Sequence, residues 1–394
     1  MRPSTRLASV AAVAVAAVLS GTAWTAQASQ ARAIQADAVQ AGHAGATHAV
    51  FVQTNDPSGN SIVAFRRNAS GTLTLAATYQ TGGNGGRTSG SAGFPGSLAS
   101  QGSLVLDPAA GLLFAANAGS DSVSVFGVTG DQLHLRQVVS SGGPFPVSIA
   151  VSGRLAYVLD AGMAGDVHGY RIANGELVPI PRSTRSLGLN NTNPPFFLSA
   201  PAEVGFTPDG TKLVVATKTN GLVDVFSVNR AGRLSGQPAH DLVSGVPFAF
   251  MFDPAGRLAL VNTALTPTST LGTYTINADG TLTTVGAPVS DDQTAACWIA
   301  AARGFDYVTN SGSGTISQYS IDSSGTVTLV NSTAAAGIDG PTDMTVAGGG
   351  AFLYNQVGLS SAVDAYSVSS DGSLTMIQSE PIPDGGSQEG IVAT

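Results

Sequence analysis

From His48 to its last residue the chain alternates short apolar runs with Gly-rich polar turns. Ser122-Val-Ser-Val-Phe126 and Leu222-Val-Asp-Val-Phe226 put an apolar side chain at every second position, the period of a pleated strand with one buried face. Turns such as Asn229-Arg-Ala-Gly232, Asn277-Ala-Asp-Gly280 and Asp322-Ser-Ser-Gly325 follow these runs. Their glycines supply the positive φ that tight hairpins need. The cycle of four strands repeats seven times. First strands are predicted at Ser103–Asp107, Val147–Val151, Glu203–Thr207, Phe248–Phe252, Cys297–Ala301, Asp343–Ala347 and Gly390–Thr394. Fourth strands are predicted to begin near Leu73, Leu133, Leu177, Leu234, Leu282, Val327 and Leu374.

Seven units of about 49 residues predict an all-β fold, a seven-bladed β-propeller with four antiparallel strands per blade over residues 48–394. The phase of the repeat adds a closure. The chain enters on a second strand at His48 and leaves on a first strand at Gly390–Thr394. The C-terminal strand must therefore complete the blade that begins at His48, which removes the open sheet edges. In such a blade successive turns alternate between the two faces of the disc. One face carries short turns such as Thr207-Pro-Asp-Gly210. The other carries two long loops, Thr81–Gly102 and Pro181–Ala202. Loops of this length without strands of their own are commonly functional, so a partial lid over the axial mouth is expected there.

The segment before His48 differs in kind. Arg2 and Arg6 precede an apolar run, Leu7–Leu19, and Ala26-Gln27-Ala28 offers a small-x-small cleavage site. That is the pattern of a secretory signal peptide over residues 1–28, and the run is too short to span a bilayer. Residues 29–47 read as a small-residue linker. A secreted product without a membrane span in its mature part is expected. Cleavage would reduce 17 basic residues to 15 against 25 acidic ones, a net charge of −10. An acidic surface excludes nucleic acid and anionic membrane as partners. With Cys297 as its one cysteine, the chain has no intrachain disulfide and is expected as a monomer held by packing.

Candidate chemistry follows from parity. The starts of first strands and the ends of second strands face the axial mouth on the variable side. Glu203, Asp343 and Glu389 from the first set, and Asp160 from the second, are placed to act as a general base or to ligate a hard cation, and Asp160 is also a candidate to bind the substrate. Lys218, one of only two lysines, and Arg87 are placed to hold an anion or a developing oxyanion. Asn117, Asn310 and Asn355 at second-strand ends either bind a ligand or cap their strands. The five histidines show no metal spacing, and Gly82-Gly-Asn-Gly-Gly86 lies between no strand and helix, so it is no phosphate loop. Neither a metal nor a cofactor is expected.

Tyr307-Val-Thr-Asn310-Ser-Gly-Ser-Gly resembles the YVTN type of propeller repeat. Phe206-Thr-Pro-Asp-Gly210 with Leu213-Val-Val-Ala-Thr-Lys218, and Gln101-Gly-Ser-Leu-Val-Leu-Asp107 with Phe114-Ala-Ala-Asn117-Ala-Gly-Ser120, resemble the lactonase-family propellers. That family includes 6-phosphogluconolactonases and carboxymuconate-cyclising enzymes, and the likeness covers 48–394. It implies a lactone hydrolase. The chain departs from the family where a His or Arg tends to follow proline at inner-strand starts. Here Pro146 precedes Val147, Pro201 precedes Ala202, and Pro247 precedes Phe248.

Two functions are compatible with these residues. One is an exported lactonase-like hydrolase, with Glu203, Asp343 or Glu389 activating water and Lys218 steadying the oxyanion. The other is a non-catalytic extracellular propeller that binds a small-molecule or cell-surface ligand on its variable face.

Overall fold

Alternation and turn chemistry let each unit pair into an antiparallel sheet. The computed structural model describes residues 47–386 and 388–394. The signal expected at 1–28 and the linker expected at 29–47, apart from Thr47, lie outside the described residues. Seven antiparallel sheets follow one another along the chain. Their innermost strands are Leu104–Asp107, Pro146–Ser152, Pro201–Phe206, Val246–Phe252, Ala296–Ala302, Pro341–Ala347 and Ile391–Ala393.

The last of these closes the ring. Ile391, Val392 and Ala393 pair with Val52, Phe51 and Val50 of His48–Gln53, the second strand of blade one. Gln53 N–H donates to Gly390 O at 2.9 Å, and Thr394 N–H to Ala49 O at 2.9 Å. Gly390 sits at φ +103, where a Cβ would lie 2.5 Å from the Ser103 hydroxyl. Only glycine lets the closing strand approach blade two this closely.

Buried apolar side chains fill the spaces between adjacent blades. Three tyrosines add a repeated latch. Tyr157, Tyr307 and Tyr354, each in a second strand, donate their hydroxyls to Gly232 O, Gly372 O and Gly71 O in the third-to-fourth turn of the next blade. Burial without such an acceptor would leave each phenol unpaired.

The outer edge departs from the predicted pattern in three blades. In blade four Leu234 makes a single bridge with Val228, and the fourth strand runs only over Ala239–Leu242. In blades three and five the fourth strand is split, into Glu176–Pro179 with Arg185–Ser186 and into Leu282–Thr284 with Val289–Ser290. Pro238, Pro181 and Pro288 stand in the interrupted stretches and cannot donate to a ladder.

Five innermost strands carry a register shift near their start, between Pro146 and Ser148, Pro201 and Glu203, Pro247 and Phe250, Ala296 and Ile299, and Pro341 and Met344. Bulges re-aim side chains, here at the end of the channel where the long loops lie. Among the described residues no helix is long and apolar enough to cross a membrane.

Candidate functional site

The first long loop does not stop at the rim. Its last turn, residues 96–102, crosses the axial mouth and bonds to inner strands around the ring. Gln101 N–H donates to Ala202 O of blade four at 2.9 Å. Ser100 Oγ donates to Val147 O of blade three at 2.8 Å. Trp298 Nε1 of blade six donates to Ser100 O at 2.6 Å, and Ile299 N–H to Gln101 Oε1 at 3.0 Å.

Glu389, just before the closing strand, anchors this segment. Its Oε2 accepts Leu98 N–H at 2.9 Å and Ala99 N–H at 3.1 Å. Its Oε1 accepts Ser100 N–H at 2.7 Å and the Ser100 hydroxyl at 3.1 Å. Gly96 permits the approach, since a Cβ there would lie 2.8 Å from Glu389 Oε2 and 3.0 Å from the Trp298 ring. Burial raises the Glu389 pKa above the ordinary range, and the four donors oppose that shift.

The other two inner-strand carboxylates share the axial region. Glu203 Oε2 accepts Phe250 N–H at 2.6 Å, and Gln101 Nε2 donates to its Oε1 at 3.4 Å. Asp343 Oδ1 accepts Met344 N–H at 2.9 Å. Burial pushes both far above the usual carboxylate range; the Asp343 charge adds to the effect on Glu203, and the Glu389 charge to that on Asp343. Three acids thus meet at the axis, each holding backbone.

Lys218 lies elsewhere. The two long loops join over blades four to six. Ser89 N–H donates to Pro195 O at 2.8 Å, Phe197 N–H donates to Ser89 O at 3.1 Å, and the Phe94 and Phe197 rings stack at 5.1 Å. Beneath them is a cavity of about 580 Å³. Its wall is mostly apolar, from Phe94, Phe197, Val246, Phe248, Leu265 and Trp298. The titratable side chains in that wall are Lys218 and Cys297. Lys218 Nζ donates to Ala99 O at 2.7 Å and stands 5.0 Å from the centroid of the Phe248 ring.

Desolvation lowers the Lys218 pKa to about 8, against the raising influence of Cys297 and Glu389. Burial pushes the Cys297 thiol up to about 11, which leaves it a poor nucleophile at neutral pH. Ala99 therefore stands between the two charged groups, its N–H on Glu389 and its carbonyl on Lys218. None of the axial carboxylates lines the cavity.

The remaining sequence candidates do not line it either. Asn117 Nδ2 donates to the Ser122 and Ser124 hydroxyls, and Asn310 Nδ2 to those of Thr315 and Ser317. Both amides tie a second strand to the third strand of the same blade, which is the capping alternative. Asn355 Nδ2 donates to Gln356 O. Arg87 donates to Gly386 O at 2.7 Å, next to the closing segment. Asp160 is fully buried in blade three, with His168 Nε2 at 3.7 Å. Its pKa is raised to about 8 by burial. Among the described residues no group of three or more His, Cys, Asp or Glu is placed to hold a metal ion.

The aromatic wall escaped the polarity-based reading. Its signal was present: Phe94 and Phe196-Phe197 are isolated aromatics in otherwise small, polar loops.

The model of a family described as "Lactonase, 7-bladed beta-propeller" matches residues 103–297 and 262–387. Among solved structures, a protein from Lactobacillus plantarum is similar at TM-score 0.70 and 18% identity, covering 89% of this chain and 100% of that one. A putative 6-phosphogluconolactonase from Bacteroides fragilis is similar at TM-score 0.66 and 15% identity, covering 88% and 98%. A periplasmic gluconolactonase from Pseudomonas aeruginosa is similar at TM-score 0.67 and 17% identity, again covering 88% and 98%. Among curated proteins none matches the sequence.

Proposed function

Because the chain belongs to the lactonase family of seven-bladed β-propellers, we propose that it opens a lactone ring in the cavity under the two long loops. The observation that carries this reading is the buried amine of Lys218 in a largely apolar wall. A lysine brought down to about 8 is matched to acid–base work near neutral pH. About a tenth of it is neutral at pH 7, from a pKa near 8.

The neutral amine takes a proton from water as the oxygen of that water adds to the lactone carbonyl. The ammonium so formed stands beside the oxyanion and stabilises it. Collapse breaks the ring C–O bond, and Lys218 returns its proton to the departing alkoxide. The products are a hydroxy acid and the starting enzyme. Glu389 is a positioning residue: through Ala99 it fixes the carbonyl that orients Lys218. In this reading Lys218 takes the base role that the sequence assigned to Glu203, Asp343 or Glu389, because those three are engaged at the axis.

A second reading, ligand binding without turnover, is favoured by one observation: no carboxylate lines the cavity. Base uptake at constant pH over a panel of lactones separates the two. The hydrolase reading expects turnover that rises through pH 8, levels above it, and disappears in Lys218→Met. No turnover above buffer, or turnover unchanged in Lys218→Met, defeats it. We place this activity outside the cytoplasm on the strength of the leader pattern at Arg2–Ala28. N-terminal sequencing of protein from the culture medium is expected to begin at Ser29.

A further inference from the structure

We propose that the cavity takes a lactone bearing an extended alkyl or acyl chain, and not a sugar lactone. The inference rests on the pocket reading above and names its substrate class. A sugar lactone carries a hydroxyl on nearly every carbon. Each would need a partner on burial, because an unpaired buried hydroxyl costs binding. The wall supplies few: the hydroxyls of Ser91, Thr263, Thr294 and Ser311, and no Asp, Glu, Asn, Gln, Arg or His side chain. A phosphorylated lactone fits worse. A phosphate dianion calls for several charge-assisted donors, and the wall holds a single amine, already bonded to Ala99 O.

What the wall offers instead is aromatic and aliphatic surface. Phe248 and Trp298 meet edge to face at 5.2 Å on the inner side, and Phe94 and Phe197 stack on the loop side. The apolar lining also continues outward. Phe94, Leu198 and Leu265 line the cavity and are still 48%, 37% and 60% exposed. Large apolar side chains left in water beside a pocket mark a surface that a ligand covers. A chain longer than the cavity would lie along them, with its ring held at Lys218. A volume of about 580 Å³ lies within the roughly 300–1,000 Å³ usual for small-molecule sites.

The test uses the full-length chain carrying Trp24→Phe, which leaves Trp298 as the sole indole. Trp298 lies in the wall, so its emission reports occupancy. The probes are γ-butyrolactone, γ-octalactone, γ-decalactone, γ-dodecalactone and glucono-δ-lactone. The expected result is a dissociation constant that falls about fourfold per added methylene between the eight- and ten-carbon probes, with no emission change from the glucono-lactone at millimolar concentration. Leu265→Asp, at an exposed position of the lining, is expected to weaken the dodecalactone at least tenfold more than the butyrolactone. Affinity independent of chain length, equal binding of the glucono-lactone, or no response to any probe overturns the proposal. Graded alkyl binding without ring opening supports it and defeats hydrolysis. Turnover of glucono-δ-lactone without chain-length dependence overturns it and leaves hydrolysis standing.

Discussion

Replacing Glu389 by glutamine tests whether one side chain holds the segment that crosses the axis. Four donors face this carboxylate, Leu98 N–H and Ala99 N–H on Oε2 and the Ser100 N–H and hydroxyl on Oε1. These donors favour the ionised acid, against burial, which favours the neutral one; the experiment is set at pH 8, toward the ionised side. Glutamine has nearly the same shape but one acceptor fewer. With its NH₂ on the Oε2 side the amide faces two N–H donors that lose their partner; on the Oε1 side it faces only Ser100 N–H, because the Ser100 hydroxyl keeps its bond to Val147 O and can accept from the amide. A buried donor left unpaired costs about 1–3 kcal/mol, and the amide takes the orientation that orphans one, so the variant loses roughly 1–3 kcal/mol. For a propeller of this size the unfolding entropy is on the order of 0.7 kcal/mol per degree. The melting temperature should then fall by about 1–4 °C. Hydrogen exchange localises the effect, with amides 98–100 losing protection while the Pro201–Phe206 strand keeps its own. The loss should reach Lys218, since Ala99 O orients its amine and the Glu389 charge raises its pKa. The inflection of the pH–rate profile is expected to move below 8. Unchanged protection at 98–100 together with a melting temperature within a degree of the parent would refute the reasoning.

Three further outcomes follow from the same contacts. Removing Gln388–Thr394 strips blade one of its innermost strand and the axial segment of its anchor; aggregation or unfolding is expected by size-exclusion chromatography, and a monomer with unchanged melting would count against the closure. Asp160→Asn should stabilise the protein increasingly as pH rises. The native acid titrates at about 8 and the unfolded one near 3.9. Between these values the unfolded state releases a proton that the native state keeps, so stability falls with pH, by at most about 6 kcal/mol over the window. The melting gap between variant and parent should widen from pH 5 to pH 8, and a constant gap would contradict the shift. Lys218→Met should abolish turnover without lowering the melting temperature at pH 7, because it replaces a buried amine whose charged form burial disfavours; a large drop in melting would assign Lys218 a structural role instead.

Much of the architecture was legible because a blade is a local object. Hairpins such as Asn277–Gly280 and runs such as Leu222–Phe226 encode their sheets within a few tens of residues. The irregular outer strands were less legible, since an edge strand has no second neighbour to enforce its ladder and prolines at 181, 238 and 288 break it cheaply. At the site, parity assigned Glu203, Asp343 and Glu389 to the starts of inner strands. It did not show that they hold backbone there, or that Asn117 and Asn310 bond to the next strand of their own blades. Aromatics in the two long loops carried a local signal that attention to polar residues passed over.

By itself the sequence determined the ring and its closure. The period sets seven blades, and the phase, entering on a second strand and leaving on a first, obliges Ile391–Ala393 to pair with Val50–Val52. Only the tertiary structure decided which polar groups remain available to a ligand. Ser100 and Glu389 are 289 residues apart in the chain and bonded in space. The cavity draws its wall from two loops and three blades. Strand pattern is written in neighbouring residues, whereas burial and hydrogen-bond satisfaction belong to groups that meet only when the ring closes, and these removed the carboxylates from the pocket and left Lys218 in it.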